Sequence, residues 1–298
     1  MMQSHVSTII NAQNGNLALK IFAFEDNHSF DHLQRHNYFS IIVIAQGTCT
    51  LKADFSEYAV EAPAVMFFAP YQPFMLGSTA PIRGWAIHFH SDFFCIHKHH
   101  RDVACNGTLF NIVYEPPFLP LTEAETATFS EQTRQMLDEM QSSEAAQHNL
   151  LQHDLLVAYL KILLIHAVRI KARQREEMPA LPDDSTEPVT LARLKEAVEE
   201  HFRTKHSAAE YAEFLNVPAK SLAKMTKRHL NKTLTDVIVE RIVIEAKREL
   251  YLTSKSVKEI AYELGFHDEH YFSRFFKTNA DVSPQVYRDT VGFARAEA

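Results

Sequence analysis

Residues 211–284 state one helical pattern twice, and that repetition limits the fold more than any other feature of the 298-residue chain. The first copy reads YAEFLNVPAKSLAKMTKRHLNKTL from Tyr211, and the second IAYELGFHDEHYFSRFFKTNADVSP from Ile260. Ala212 aligns with Ala261, Leu215 with Leu264 and Asn216 with Gly265. The first copy is then one residue shorter, after which Leu222 aligns with Phe272, Lys224 with Arg274, Lys227 with Lys277 and Asn231 with Asp281. Each match has a mechanical reason in a helix-turn-helix. Two helices that cross closely need a small residue on the inner face of the first, here Ala212 and Ala261. The turn needs a residue that tolerates positive φ, here Asn216 and Gly265. The second helix then turns an apolar stripe inward, which in the second copy is Tyr271, Phe272, Phe275 and Phe276. His270, Ser273, Arg274 and Lys277 are left for its outer face. Asn231 and Asp281 again tolerate a left-handed backbone, and Thr233 and Ser283 follow as N-caps of the next helices. A bundle of loosely similar helix pairs would not keep turn, small residue and basic residues in step.

The rest of the chain is organised around this repeat. Helical patterning extends over about 190–203, 207–215, 219–230, 234–252, 256–264, 268–278 and 284–288. Before it lies Met178–Pro188, MPALPDDSTEP, whose three prolines and lack of apolar periodicity mark a linker. The expected organisation is therefore a first domain at 1–177, a linker at 178–188 and a second domain at 189–298. The two helix-turn-helix units fall at about 207–230 and 256–279. Up to about residue 120, short apolar runs (Phe39–Ala45, Val65–Ala69, Trp85–Phe89) alternate with Gly and Pro punctuation, which suggests a β-sandwich or small barrel. Thr122 with Glu125 reads as a capping box. A helix from about Asn149 to Arg175 carries Leu151, Leu155, Tyr159, Ile162, Leu163, His166 and Ile170, with Leu156, Leu160 and Ile165 on another side. One stripe can cover the barrel and the spare one can meet a second subunit. The fold class is thus α+β in two domains.

Charge is distributed to match. The chain has 37 Asp and Glu against 30 Lys and Arg, and the acidic excess lies wholly before residue 186. An acidic whole can contain a nucleic-acid-binding half, so net charge does not oppose such a partner. No apolar run reaches the ~18 residues of a membrane span, and the start MMQSHVSTII lacks a signal-peptide pattern. Three cysteines do not make a disulfide framework, so the expected compartment is the reducing cytoplasm.

The stretch Ser256–Arg288, SVKEIAYELGFHDEHYFSRFFKTNADVSPQVYR, resembles the signature of AraC/XylS-type transcription regulators. The matching elements are I-A-x-x-L-G-F, Y-F-S-R-x-F-K and S-P-x-x-Y-R, and Arg241, Ala246 and Leu250 fit that family's connecting helix. The sequence departs from the pattern at Asp281, where glycine is usual, and at Thr226, where the first copy lacks an aromatic core residue. The resemblance implies a sequence-specific DNA-binding regulator with two recognition helices in successive major-groove segments, held apart by a central helix. It also implies an N-terminal cupin-like β-barrel with trailing helices that binds a small-molecule effector and forms a homodimer. RNA polymerase is the expected further partner if the regulator activates. Carried over position by position, the base-facing residues are Lys220, Ala223 and Lys224 on the first reader and Glu269, His270, Ser273 and Arg274 on the second. Arg274 suits the O6 and N7 of guanine. Glu269 accepts from a cytosine amine or, the favoured role, caps its helix. Lys227, Arg228, Lys232 and Lys277 are phosphate contacts, supplying affinity and salt dependence. In the barrel, alternation puts Phe39, Ile41 and Val43 or their neighbours inside, with His36, Tyr38, Trp85, Ile87 and Phe89.

Two His-rich stretches test the alternative of a cupin-type metalloprotein or enzyme fused to a DNA-binding module. His88 and His90 form H-x-H, which shares a side on a strand. The glycines that frame metal-binding cupin motifs are missing, however, and Asp92 follows too closely. In FFCIHKHHRDVAC, from Phe93, Cys95, His97 and His99 alternate, but neither their spacing nor the gap to Cys105 matches a zinc pattern. No metal or other cofactor is assigned. With no phosphate-cradling glycine loop, nucleophile elbow or His-Glu metalloprotease motif, no catalytic residue is assigned either.

Overall fold

A computed structural model describes residues 6–12, 15–96, 106–142, 149–177 and 187–291. The chain forms two units, Met1–Ile112 with Pro116–Glu177, and Val113–Glu115 with Met178–Ala298. Most of the expected linker, 178–186, lies outside the described residues. Three residues of the N-terminal stretch, Val113–Glu115, thus belong to the second unit.

The first unit holds two antiparallel sheets. Strands β1 (Ser7–Ile10), β2 (Leu17–Phe24), β3 (Phe39–Gln46), β6 (Ala64–Phe68), β8 (Arg83–Phe89) and β9 (Phe118–Pro120) form a six-stranded sheet in the order β1-β2-β8-β3-β6-β9. Strands β4 (Thr48–Ala53), β5 (Ser56–Glu61) and β7 (Phe74–Gly77) form the other, in the order β5-β4-β7. Side chains between the two sheets make one core: Phe22, Phe24, Ile42, Ile44, Met66 and Phe68 from the large sheet, with Leu51, Val60, Phe74 and Leu76 from the small one. The opposite face of the large sheet, with Ile21, Phe39, Ile41, Val43, Phe67, Trp85, Ile87 and Phe89, makes a second core with two helices.

These helices are α1 (Glu123–Gln141), opened by the Thr122–Glu125 capping box, and α2 (Asn149–Glu177). Helix α2 buries Leu156, Leu160, Leu163, Leu164 and Ala167 against the sheet, and Leu151, Leu155, Ile162 and Ile165 stay exposed. The sequence expectation for the barrel interior is corrected here. Phe39, Ile41, Val43, Trp85, Ile87 and Phe89 point to the helices, and their neighbours Ile42, Ile44, Ala86 and His88 point inward. Both faces of β3 and β8 are mostly apolar, so period-two alternation offers little choice between them.

The second unit is helical: α3 (Glu187–His201), α4 (Ala208–Leu215), α5 (Ala219–Leu230), α6 (Leu234–Leu252), α7 (Val257–Glu263), α8 (Glu269–Ala280) and α9 (Pro284–Val291). Capping boxes open α4 (Ser207–Glu210), α6 (Thr233–Asp236) and α7 (Ser256–Glu259). Each satisfies orphan backbone donors at a helix start. The backbone is left-handed at Asn216, Asn231, Gly265 and Asp281, where the helices end. The two turns use the same bonds: Val217 N–H donates to the Ala212 carbonyl, and Phe266 N–H to that of Ala261, at 3.0 and 2.9 Å. Ala212 and Ala261 are both buried, as close helix crossing requires.

Helix α6 is the shared support. Its Ala246 and Leu250 are fully buried, and it packs against both α5 and α8. Glu245 of α6 is buried among Arg203, Arg241 and Arg248, at 2.6, 3.1 and 2.8 Å. Burial alone would raise its carboxyl pKa, but the surrounding guanidiniums hold it below the usual value. The Arg241 guanidinium also lies 3.9 Å over the Phe202 ring. Arg288 of α9 closes the unit by donating to the carbonyls of Leu250 and Lys255, at 3.0 and 2.6 Å.

Candidate functional site

The second helix of each repeat sits on an apolar footing. Helix α5 buries Leu222, Met225, Thr226 and Leu230. Thr226, the residue without an aromatic ring, is fully buried, and its hydroxyl donates to the Ala223 carbonyl at 3.2 Å. Helix α8 buries Phe272, Phe276 and Ala280, with Phe266 of the turn edge-on to Phe272 and tilted against Phe275 at 5.2 and 5.1 Å between ring centroids. With the apolar side anchored, the polar side faces solvent. Lys220, Ala223 and Lys224 are exposed on α5, as are His270 and Arg274 on α8, while Glu269 and Ser273 are half-buried at its edge. Arg274 makes no hydrogen bond or ion pair among the described residues. Its guanidinium fork is therefore not already engaged by an intramolecular carboxylate. Lys227, Arg228 and Lys277 are also exposed.

Three expectations for these residues are corrected. Lys232 is buried: its Nζ lies 2.6 Å from Glu240 Oε2 of α6 and donates to the Val113 carbonyl at 3.0 Å. It cannot reach a phosphate, because the chain turns inward after Asn231. The cap of α8 is Asp268, whose side chain accepts from Tyr271 N–H at 2.8 Å, so Glu269 is not used for capping. That bond holds the exposed Asp268 carboxyl below its ordinary pKa. Tyr271 does not face inward but is 58% exposed, one turn before Arg274. Only Phe272 and Phe276 occupy the innermost line of α8, and a four-aromatic cluster hides which two those are.

In the first unit the polar groups gather at one end of the inter-sheet core. The register of the large sheet gives three inner rows across β2, β8, β3 and β6. Two are apolar: Phe22, Ala86, Ile42, Met66 and Phe24, Gly84, Ile44, Ala64. The third is Lys20, His88, Ser40 and Phe68. His88 is buried, and among the described residues its Nδ1 has no hydrogen-bond partner. Its ring lies 5.3 Å from Phe22 and 4.8 Å from Tyr38, and Tyr38 stacks on His36 at 4.6 Å. Burial, then the nearby His36 and Lys20, push the His88 pKa down to about 3, so the ring is neutral. Burial raises the Tyr38 hydroxyl to about 12. The sequence reading named His36, Tyr38 and His88 but not Lys20 or Ser40. A lone lysine in the strand LALKIFAF, in phase with Phe22 and Phe24, is the signal that could have found it.

Of the His-rich stretches, the structure describes His88, His90 and Cys95. His90 Nδ1 faces Asp92, 3.3 Å from Oδ2, and Cys95 is buried. His97, His99 and Cys105 lie outside the described residues. Among the described residues no three His, Cys, Asp or Glu side chains come together as a metal site requires.

Comparison with known proteins places both units. Residues 19–160 match the AraC-like ligand binding domain, and residues 211–290 match a helix-turn-helix domain. The transcriptional activator RhaS of Enterobacter sp. (strain 638) is 25% identical over 160 residues, covering 53% of this chain and 54% of RhaS. The transcriptional activator Btr of Bacillus subtilis (strain 168) is 30% identical over 95 residues, covering 32% of this chain and 18% of Btr. The chain therefore matches about half or less of these curated relatives' length. Among solved structures, ToxT from Vibrio cholerae aligns over 97% of this chain and 98% of its own, at 14% identity and a TM-score of 0.37.

Proposed function

Because the chain belongs to the AraC family of transcription regulators, we propose that it binds double-stranded DNA in a sequence-specific way under the control of a small molecule held in its first unit. The observation that carries this reading is the pair of exposed polar faces on α5 and α8, each anchored from behind on α6. A basic, solvent-facing second helix is what a major groove accepts. Lys220, Ala223 and Lys224, with His270, Ser273 and Arg274, are the base-facing set. Glu269, no longer needed as a cap, is a candidate acceptor for a cytosine amine. Lys227, Arg228 and Lys277 are the phosphate contacts; Lys232 is withdrawn from that set. The exposed stripe of α2 (Leu151, Leu155, Ile162, Ile165) supports a homodimer, since such a stripe has only solvent to face in a monomer. Control by the effector requires that it bind one DNA-competent or incompetent state more tightly than the other. No catalytic step is assigned, and among the described residues no helix is long and apolar enough to cross a membrane.

Arg274→Ala tests the reader assignment. Once a bound sequence is known, this change should cost about 1–3 kcal/mol and relax choice at one base pair, leaving other positions as they were. Fluorescence anisotropy on the site and its single-base variants measures both. A uniform loss on all sequences, with a shallower salt slope, would instead make Arg274 a phosphate contact.

A further inference from the structure

We propose that Val113–Glu115 is a strap through which the first unit steadies the first reader, α5, and leaves the second reader, α8, untouched. The inference rests on the DNA reading above and names how that reading is regulated.

These three residues belong to the second unit, although the chain on either side of them belongs to the first. Val113 is buried, and its carbonyl accepts from Lys232 Nζ at 3.0 Å. Tyr114 donates its hydroxyl to Glu199 Oε1 of α3 at 2.8 Å, and Lys195 Nζ lies 5.5 Å from the centre of its ring. Burial, then the Glu199 charge, push that hydroxyl above its usual pKa, so it stays a donor. The other Glu199 oxygen accepts from Arg241 Nε of α6 at 2.8 Å. All of these partners lie on α3, on the α5–α6 turn or in the first half of α6. Among the described residues, Val113 and Tyr114 make no hydrogen bond or ring contact with α7, α8 or α9. Lys232 carries most of the consequence, because it joins the left-handed end of α5 at Asn231 to the Thr233 cap of α6. Its buried ammonium is shared between Glu240 and the Val113 carbonyl. Drawing the strap away leaves a buried cation one acceptor short, and the turn that aims α5 loosens.

The strap cannot move alone. On one side only Asn111 and Ile112 separate Val113 from Phe110, which is fully buried against Phe39, Phe67 and Phe89 at 5.0, 5.6 and 6.1 Å between ring centroids. On the other side Pro116 and Pro117 lead into β9, and the Pro117 carbonyl accepts from Phe67 N–H at 2.9 Å. Two prolines fix φ and stiffen that link, so a shift at β6 or β9 reaches the strap with little slack. A reader that is ordered beforehand loses less freedom on binding, so the seated strap is the state of higher DNA affinity.

Hydrogen exchange on the full chain, wild type against Tyr114→Ala, tests this. Amides of residues 227–237 should exchange about tenfold faster in the variant, the loss of one hydrogen bond to a charged group, while α8 and α9 keep the wild-type rate. Coupling is reciprocal, so the Phe67 amide of the first unit should also exchange faster, by about fivefold. Tyr114→Phe, which keeps the ring beside Lys195, should give the same pattern more weakly. Lys232→Met with Glu240→Leu removes the buried cation, and on that background Tyr114→Ala should no longer speed exchange at 227–237. On a selected duplex, Tyr114→Ala should bind about three- to tenfold more weakly. Its penalties for base changes should shrink in the segment read by α5 and stay as they were in the segment read by α8. Faster exchange spread evenly over α5 and α8 would make Tyr114 a general stabiliser of the second unit and overturn the proposal. Wild-type exchange at 227–237 overturns it, as does a change there with Phe67 at its wild-type rate, since nothing then passes along the strap. Failure to recover any bound duplex sinks the DNA reading instead, and the exchange pattern decides the strap by itself.

Discussion

Replacing Lys232 by alanine should destabilise the second unit by about 3–5 kcal/mol, although a surface reading of this lysine would anticipate almost no effect. Its ammonium is buried against Glu240, and both side chains are more than nine-tenths removed from solvent, at 5% and 7% exposure. The same nitrogen donates to the Val113 carbonyl. Alanine leaves a carboxylate inside without its cation and a buried carbonyl without its donor, and each lost partner adds to the cost. The pair itself need not be strongly stabilising, because bringing two charges out of water offsets much of their attraction. The double variant Lys232→Met, Glu240→Leu should therefore recover most of the stability lost by either single change. Chemical denaturation of the full chain followed by far-ultraviolet circular dichroism reads both effects. A loss under 1 kcal/mol for Lys232→Ala would mean that the side chain is at the surface. DNA affinity should respond only through stability: the folded Met/Leu double variant should bind with the wild-type salt slope.

Gly265→Asn, which writes the first turn into the second, should cost about 2–4 kcal/mol, whereas Asn216→Gly should change stability by about 0.5 kcal/mol or less. Both residues have positive φ, +54° at Asn216 and +82° at Gly265, and asparagine tolerates that region. The two turns share their hydrogen bonds but differ in the space beside them. A Cβ on Gly265 would stand 2.0 Å from the Arg203 carbonyl oxygen and 3.2 Å from His206 Nε2. The first of these is a backbone atom of the segment after α3, so it cannot swing aside as a side chain would. Relief would require the α7–α8 turn to move, and with it the Phe266 ring that packs against Phe272 and Phe275. DNA binding should fall with the fold in this variant. Equal, small effects at the two positions would mean that conformation alone selects these residues.

The difference between those turns also shows how far the sequence could be read. The repeat exposed much of what local chemistry governs: the cap residues Thr233 and Ser283, the left-handed positions, and the small residues Ala212 and Ala261 at the crossings. Such features depend on a few neighbouring residues, which is why pattern suffices for them. What depended on distant partners was hidden. Lys232 looks like one more basic residue after a basic helix until Glu240, a turn or two into the next helix, is seen beneath it. Arg203, whose carbonyl excludes a side chain at Gly265, lies far away in the chain. In β3 and β8 both faces are mostly apolar, so inward and outward faces could be told apart only once a helix pair was packed on one of them. Lys20 was overlooked for the same reason. Its significance comes from standing across from His88 and Ser40 on other strands, a juxtaposition that register alone creates.

The most direct measurement is selection of bound duplexes from a random-sequence pool by the full chain, at two salt concentrations. The account predicts one enriched motif with two recognised segments spaced by about one helical turn, ~10 base pairs, and steep loss of binding as salt rises. Selection repeated with Arg274→Ala should keep one segment and blur a position in the other. Recovery of no motif, or of a single short segment unaffected by changes on either α5 or α8, would contradict the claim that both helices read DNA.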